Sequence, residues 1–184
     1  MRKLLLLFAL IFVGCFTALA VGQYNFERDN PLPVDPRFTT NFGEFRAKSG
    51  YTQHDGLDYK VTEGINVYPI AGGTVTTGEG NGWGKYVIVT STINAKTFQS
   101  RYAHLSKFLV KNGDSIKKDE ILGLSGNTGN STGPHLHFSV GPTVVPGNTV
   151  NPIIAGLEQP KYGNAIIAPI DSKQHPKSGN KRVG

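Results

Sequence analysis

The chain has 184 residues, among them 23 glycines, 11 prolines and one cysteine, and a formal charge of +6. That length holds one domain with a substantial core and leaves too little for two. A lone cysteine excludes a disulfide framework and any cluster of thiolate metal ligands, and the glycine and proline content argues for short strands joined by many turns.

The first twenty residues, MRKLLLLFALIFVGCFTALA, join a basic start at Arg2 and Lys3 to an apolar run from Leu4 to Val13 and an Ala18-Leu19-Ala20 end. This is the pattern of a secretory signal cut after Ala20. Two alternatives stand beside it. The uncharged run continues to Gly22, long enough for an uncleaved anchor, and Cys15 offers a site for a lipid. Each reading puts the domain outside the cytoplasm, in the periplasm, cell envelope or medium, with membrane contact only if the leader is retained or lipidated. Loss of Arg2 and Lys3 leaves +4, a mild basic excess suited to an anionic envelope surface.

Residues 21–36 are polar and without periodicity, a short arm leading into the domain. From 37 to 155, brief apolar runs alternate with glycine-bearing turns, and the runs INVYPI, GTVTTG, KYVIVTS, TFQSRYAHL, EILGLS and HLHFSV read as strands. Valine, isoleucine and tyrosine dominate them, while Gly72-Gly73, Gly80-Asn81-Gly82 and Asn112-Gly113-Asp114 supply turns. No segment carries a long amphipathic stripe. The expectation is one all-β antiparallel domain with few or no helices. Residues 156–184 form a basic, glycine-bearing tail expected to be peripheral, with His175 an ordinary tail residue.

On a strand, alternate side chains share a face, so His135 and His137 of GPHLHF project together while Leu136 enters the opposite layer. Alone, His-x-His is equally compatible with two ordinary strand histidines. In HDGLD, His54, Gly56 and Asp58 fall on one face of an extended segment, with Asp55 on the other. Imidazole nitrogen and carboxylate oxygen are suitable zinc donors, and Gly56 leaves room between them. A catalytic zinc needs three protein ligands, so these groups exceed what one metal requires. His104 of RYAHLS adds another imidazole, read on a strand with Tyr102 and Ser106 on its face.

These residues, taken with RFTTNFGEFR, GINVYPIAGGTV, GNGWGKYVIV, RYAHLSKFLVKNGDSIKKDEILGLSGNTGNSTGPHLHFSV and Asn151-Pro152, resemble the lysostaphin-type, or LytM-like, zinc endopeptidases of bacterial cell walls. The resemblance implies a LytM-like fold of the duplicated hybrid, or barrel-sandwich, type. It implies one zinc ion per chain held by His54, Asp58 and His137, with His104 and His135 as catalytic histidines that do not bind metal. The implied substrate is the peptide cross-link of peptidoglycan. The charge of the basic tail points to a contact with anionic envelope polymers or to plain solubility. Ser139 stands where that family often has glutamate, which puts in doubt any contact the carboxylate makes.

The sequence has no His-Glu-x-x-His, so a histidine must replace the glutamate base of helical zinc proteases. GNTGNSTGP is expected to form one wall of a groove, with Trp83 and Tyr86 as candidates for the opposite wall. The chief rival is a non-catalytic LytM-like regulator of another hydrolase. A second is a carrier domain, since VKNGDSIKKDEILG is similar to the hairpins of biotinyl and lipoyl modules, but Lys117-Lys118 lacks flanking methionines. No nucleic-acid-binding motif is present.

Overall fold

Strand pairing organises the protein. The computed structural model describes residues 24, 26–33, 37–46, 52–80 and 82–157. The expected leader at 1–20, His175 and nearly all of the tail lie outside these. The strands in chain order are β1 (Arg37–Thr40), β2 (Phe45–Arg46), β3 (Thr52–Gln53), β4 (Leu57–Lys60), β5 (Asn66–Val67), β6 (Gly73–Gly80), β7 (Gly84–Ile93), β8 (Lys96–Leu105), β9 (Lys107–Phe108), β10 (Ser115–Ile116), β11 (Gly123–Leu124) and β12 (His135–Gly141), followed by one helical turn, α1 (Pro152–Ala155). Seven strands form one sheet in the order β1-β4-β12-β8-β7-β6-β10, and β5-β11-β9 and β2-β3 form two smaller ones. Every pairing is antiparallel. The all-β architecture expected from the alternating runs is thus the one observed, although INVYPI and EILGLS contribute only two paired residues each.

The long hairpin β7-β8 closes through Asn94 and Ala95, which have φ of 50° and 62°. Ile93 pairs with Lys96 across this two-residue loop, the geometry of a type I′ turn whose twist matches that of the flanking strands. On the core face, Leu136 and Phe138 of β12, Tyr59 of β4, Tyr102 of β8 and Val87 and Val89 of β7 are almost fully buried and join Val67, Ile70 and Leu122. The Tyr102 hydroxyl accepts from the Ile70 amide at 2.8 Å and lies 3.0 Å from Ser100 Oγ, so this buried phenol keeps its partners.

The arm before β1 does more than lead into the domain. Tyr24 and Leu32 are buried, Tyr24 lies 4.6 Å from the Phe98 ring, and Phe26 packs edge-on against Phe98 at 5.5 Å. Backbone bonds tie it down: the Tyr24 amide donates to Ala155 O, the Glu27 and Arg28 amides to Ile70 O, and Pro31 O accepts from Tyr68. An arm held by loop contacts has no repeating spacing, so its apolar residues show no period. At the other end Asn151 caps α1 by accepting from the Ile153 amide, with Pro152 at the first helical position.

Candidate metal centre

The site grows from the pleat of three adjacent strands. His137 of β12 pairs with Asp58 of β4 on one side and with Ala103 of β8 on the other. Directly paired residues share a face, so Asp58 and His137 project together, away from the core that takes Leu136 and Phe138. His54 arrives from the segment before β4. Its amide donates to Glu44 O and its carbonyl accepts from the Gly43 amide, fixing the segment against the turn after β1. Gly56 is needed between them, because a Cβ there would fall 2.3 Å from Phe138 O and 2.8 Å from the His137 ring.

His54 Nδ1 lies 2.8 Å from Asn41 O and donates to it, which leaves Nε2 as a lone pair. That nitrogen is 3.1 Å from Asp58 Oδ1 and 3.0 Å from His137 Nδ1, and the last two atoms are 2.9 Å apart. All three residues are buried. Hydrogen bonding alone cannot satisfy such a triangle, since a proton shared along one edge leaves the third acceptor facing acceptors. A cation at the apex satisfies all three. Bonds of 2.0–2.1 Å to a tetrahedral ion set neighbouring donors about 3.3 Å apart, close to the observed edges, and two nitrogens with a carboxylate oxygen suit zinc. Burial by itself raises the pKa of the Asp58 carboxyl, but hydrogen bonds and charge from His137 and His54 overcome it and hold the group far below the usual carboxylate range.

Two further imidazoles stand beside this corner. The β7-β8 ladder slips at one point: Lys85 pairs with Leu105 and Val87 with Tyr102, so Tyr86 faces both Ala103 and His104. His104 occupies this bulge with φ of 63°, a strained conformation for a histidine. Its amide donates to Trp83 O at 2.9 Å and its Nδ1 to Thr128 O at 2.8 Å, leaving Nε2 unprotonated. The expectation that His104 shares a face with Tyr102 is corrected here: the extra residue turns His104 to the site while Tyr102 stays in the core. Burial pushes the His104 imidazole down to about 4, helped by the neighbouring His135. His135 is anchored through Nδ1, 2.8 Å from Gly133 O and 3.0 Å from Ser131 Oγ. Its ring lies 4.5 Å from that of His104, and its Nε2 lies 3.8 Å from Asp58 Oδ1.

A cleft of about 290 Å³ opens beside the corner, reaching His54, His104 and His137. Trp83 and Gly82 line it together with Asn130 from the 126–134 loop, as expected for Trp83 and for that loop. Tyr86 instead packs on Gly78, where a Cβ would meet its ring at 2.3 Å. Pro146, Gly147 and Gln53 complete the lining and carried no signal in the sequence. The expectation that Asp55 lies on the other face is corrected as well: residues 54–56 precede β4, strand alternation does not govern them, and the Asp55 carboxylate sits at the site, 3.4 Å from His137 Nε2. Ser139 faces Arg101 across the sheet with its Oγ buried and unpartnered.

A buried corner of two imidazoles and one carboxylate, open to a cleft with two imidazoles to spare, defines a mononuclear metal site of the hydrolytic class. Comparison with known proteins agrees. The pattern of peptidase family M23 matches residues 52–152, and the chain belongs to that family. It is 36% identical over 149 residues to the peptidoglycan DD-endopeptidase ShyA of Vibrio cholerae, covering 74% of this chain and 33% of that protein. Among solved structures it resembles a zinc-containing peptidase from Vibrio cholerae, with TM-score 0.62, 29% identity and coverage of 73% of this chain and 41% of the other. It also resembles the catalytic domain of lysostaphin from Staphylococcus simulans, with TM-score 0.60, 30% identity and coverage of 64% and 90%. The chain spans 33% of ShyA and 21% of an uncharacterized metalloprotease of Haemophilus influenzae, a third or less of these curated relatives.

Proposed function

We propose that the protein is a zinc-dependent endopeptidase that hydrolyses peptide cross-links of bacterial peptidoglycan. The observation that carries this reading is the triangle of His54 Nε2, Asp58 Oδ1 and His137 Nδ1, with edges of 2.9–3.1 Å. Bound there, zinc supplies Lewis acidity toward water and toward a scissile carbonyl. The residues around it divide the remaining work. Asp58 supplies the anionic donor, His54 and His137 the neutral ones, and the Asn41 carbonyl keeps the lone pair of His54 on the metal side.

His104 is neutral near pH 7 and holds an open Nε2, so it can take a proton. His135, fixed through its other nitrogen, stands next to it. The pair shares proton transfer and stabilisation of the developing oxyanion. Trp83 and the backbone around Asn130 and Gly147 form walls between which an extended peptide fits. The substrate is an envelope polymer, which agrees with a leader at residues 1–20, and the basic tail adds contacts to anionic polymers.

The test is digestion of purified walls of known cross-link by the protein, with zinc and with a chelator, reading new amino termini by mass spectrometry. Zinc-dependent release of a defined amino terminus is expected. A zinc-loaded protein that releases none would overturn the enzymatic reading.

A further inference from the structure

With Nδ1 of His137 turned to the metal corner, the proton of its neutral ring resides on Nε2, and that atom is buried. A buried N–H without an acceptor is destabilising. Asp55 Oδ1 lies 3.4 Å from it, just beyond good hydrogen-bond alignment. Asp55 Oδ2 lies 3.8 Å from Arg101 Nη1, an ion pair by distance but too long for a hydrogen bond. The Arg101 guanidinium in turn rests 4.1 Å from the Trp83 ring centroid, and Trp83 stands 4.9 Å from the His137 ring, so the contacts return to the ligand where they began.

Among the described residues, the buried side-chain atoms without a hydrogen-bond partner are Asp55 Oδ2, Arg101 Nε and Nη1, His137 Nε2 and Ser139 Oγ, all in this one cluster. Such groups are rare, and each calls for an explanation. One Asp55 oxygen is turned to His137 Nε2 and the other to Arg101 Nη1. The arrangement excludes two other roles. Asp55 meets His137 at Nε2 and not at the Nδ1 that forms the corner, so it is not a fourth ligand. Arg101, with only 5% of its side chain exposed, is not available to grip substrate.

We infer that Asp55, held by Arg101 against Trp83, is the positioning carboxylate of the metal site, accepting the Nε2 proton of His137. Such a partner fixes the ring and makes its ligating nitrogen more basic. Arg101 acts only through Asp55, and the small Ser139 opposite leaves the guanidinium free to face it.

This inference rests on the zinc reading above. Its test is the zinc affinity of the full chain, stripped of metal, by competition with a chromogenic chelator, together with the visible spectrum after cobalt substitution. Folding of each variant is checked by circular dichroism. Asp55→Ala should weaken zinc about 10–100-fold and alter the cobalt bands, and isosteric Asp55→Asn, which keeps an acceptor oxygen, should lose less. Arg101→Met should weaken zinc in the wild-type background and add nothing to Asp55→Ala. Unchanged zinc affinity in folded Asp55→Ala, or additive losses in the double variant, would overturn the inference while leaving the zinc reading intact. Failure of the wild-type chain to bind zinc would instead overturn the zinc reading.

Discussion

The three residues of the metal corner and the two spare histidines lie within a few ångströms of each other, yet the chain holds them differently. Asp58 and His137 sit side by side because strand pairing puts them there, each in ordinary extended backbone at a ladder position. His135 shares the β12 ladder, opposite Lys60, but its ring, like that of His104, is held by a side-chain bond onto a carbonyl, Gly133 for the one and Thr128 for the other. His104 requires a bulge and a left-handed backbone besides. A metal needs donors whose mutual distances are fixed, which the sheet supplies for Asp58 and His137 while the Asn41 carbonyl orients His54. The proton transfer proposed for His104 and His135 needs one nitrogen anchored and the other open, which a carbonyl clamp supplies.

The difference predicts separable losses. Asp58→Ala or His137→Ala should abolish zinc binding and bring hydrolysis to background, checked by metal content and wall digestion. Loss of either spare imidazole, as His104→Ala or His135→Ala, should slow turnover about 10²–10⁴-fold with zinc retained. A metal-free His135→Ala protein would erase the distinction.

Acid sharpens it further. The His104 imidazole sits near 4 when folded, below the 6.5 of an exposed histidine. Between these values the unfolded chain binds more protons at this position, so its contribution to stability falls as pH falls through that window. In urea unfolding, metal-free wild type should lose about 1–2 kcal/mol between pH 7.5 and pH 5 that metal-free His104→Asn does not lose. Asp58 is common to both proteins and cancels. The smallest effect contrasts one left-handed residue with another. Ala95, with φ of 62° at the tip of the β7-β8 hairpin, serves only the turn. Ala95→Gly should raise stability by under about 1 kcal/mol in thermal melts, with wall digestion unchanged.

What could be read from the sequence follows the same division. His-x-His was legible because strand alternation turns spacing into a shared face, whereas His54 joins Asp58 although it precedes the strand, held there by its backbone bonds to Glu44 and Gly43 and its ring contact with Asn41. The same rule misplaced Asp55, which precedes the strand, and His104, whose bulge inserts one residue into the ladder. The packing of Tyr24 and Phe26 on Phe98 escaped notice because an irregular arm has no period. Pro146 and Gly147 joined the cleft through tertiary folding alone.

Because His135 and His137 ride on the same strand, the interval between these two histidines is set by two steps of the pleat, about 7 Å. The flanks of the cleft come from turns such as 126–134 and 145–148. Insertions in those turns can reshape what enters while the reacting groups keep their spacing, so selectivity and chemistry are free to evolve on separate parts of the backbone.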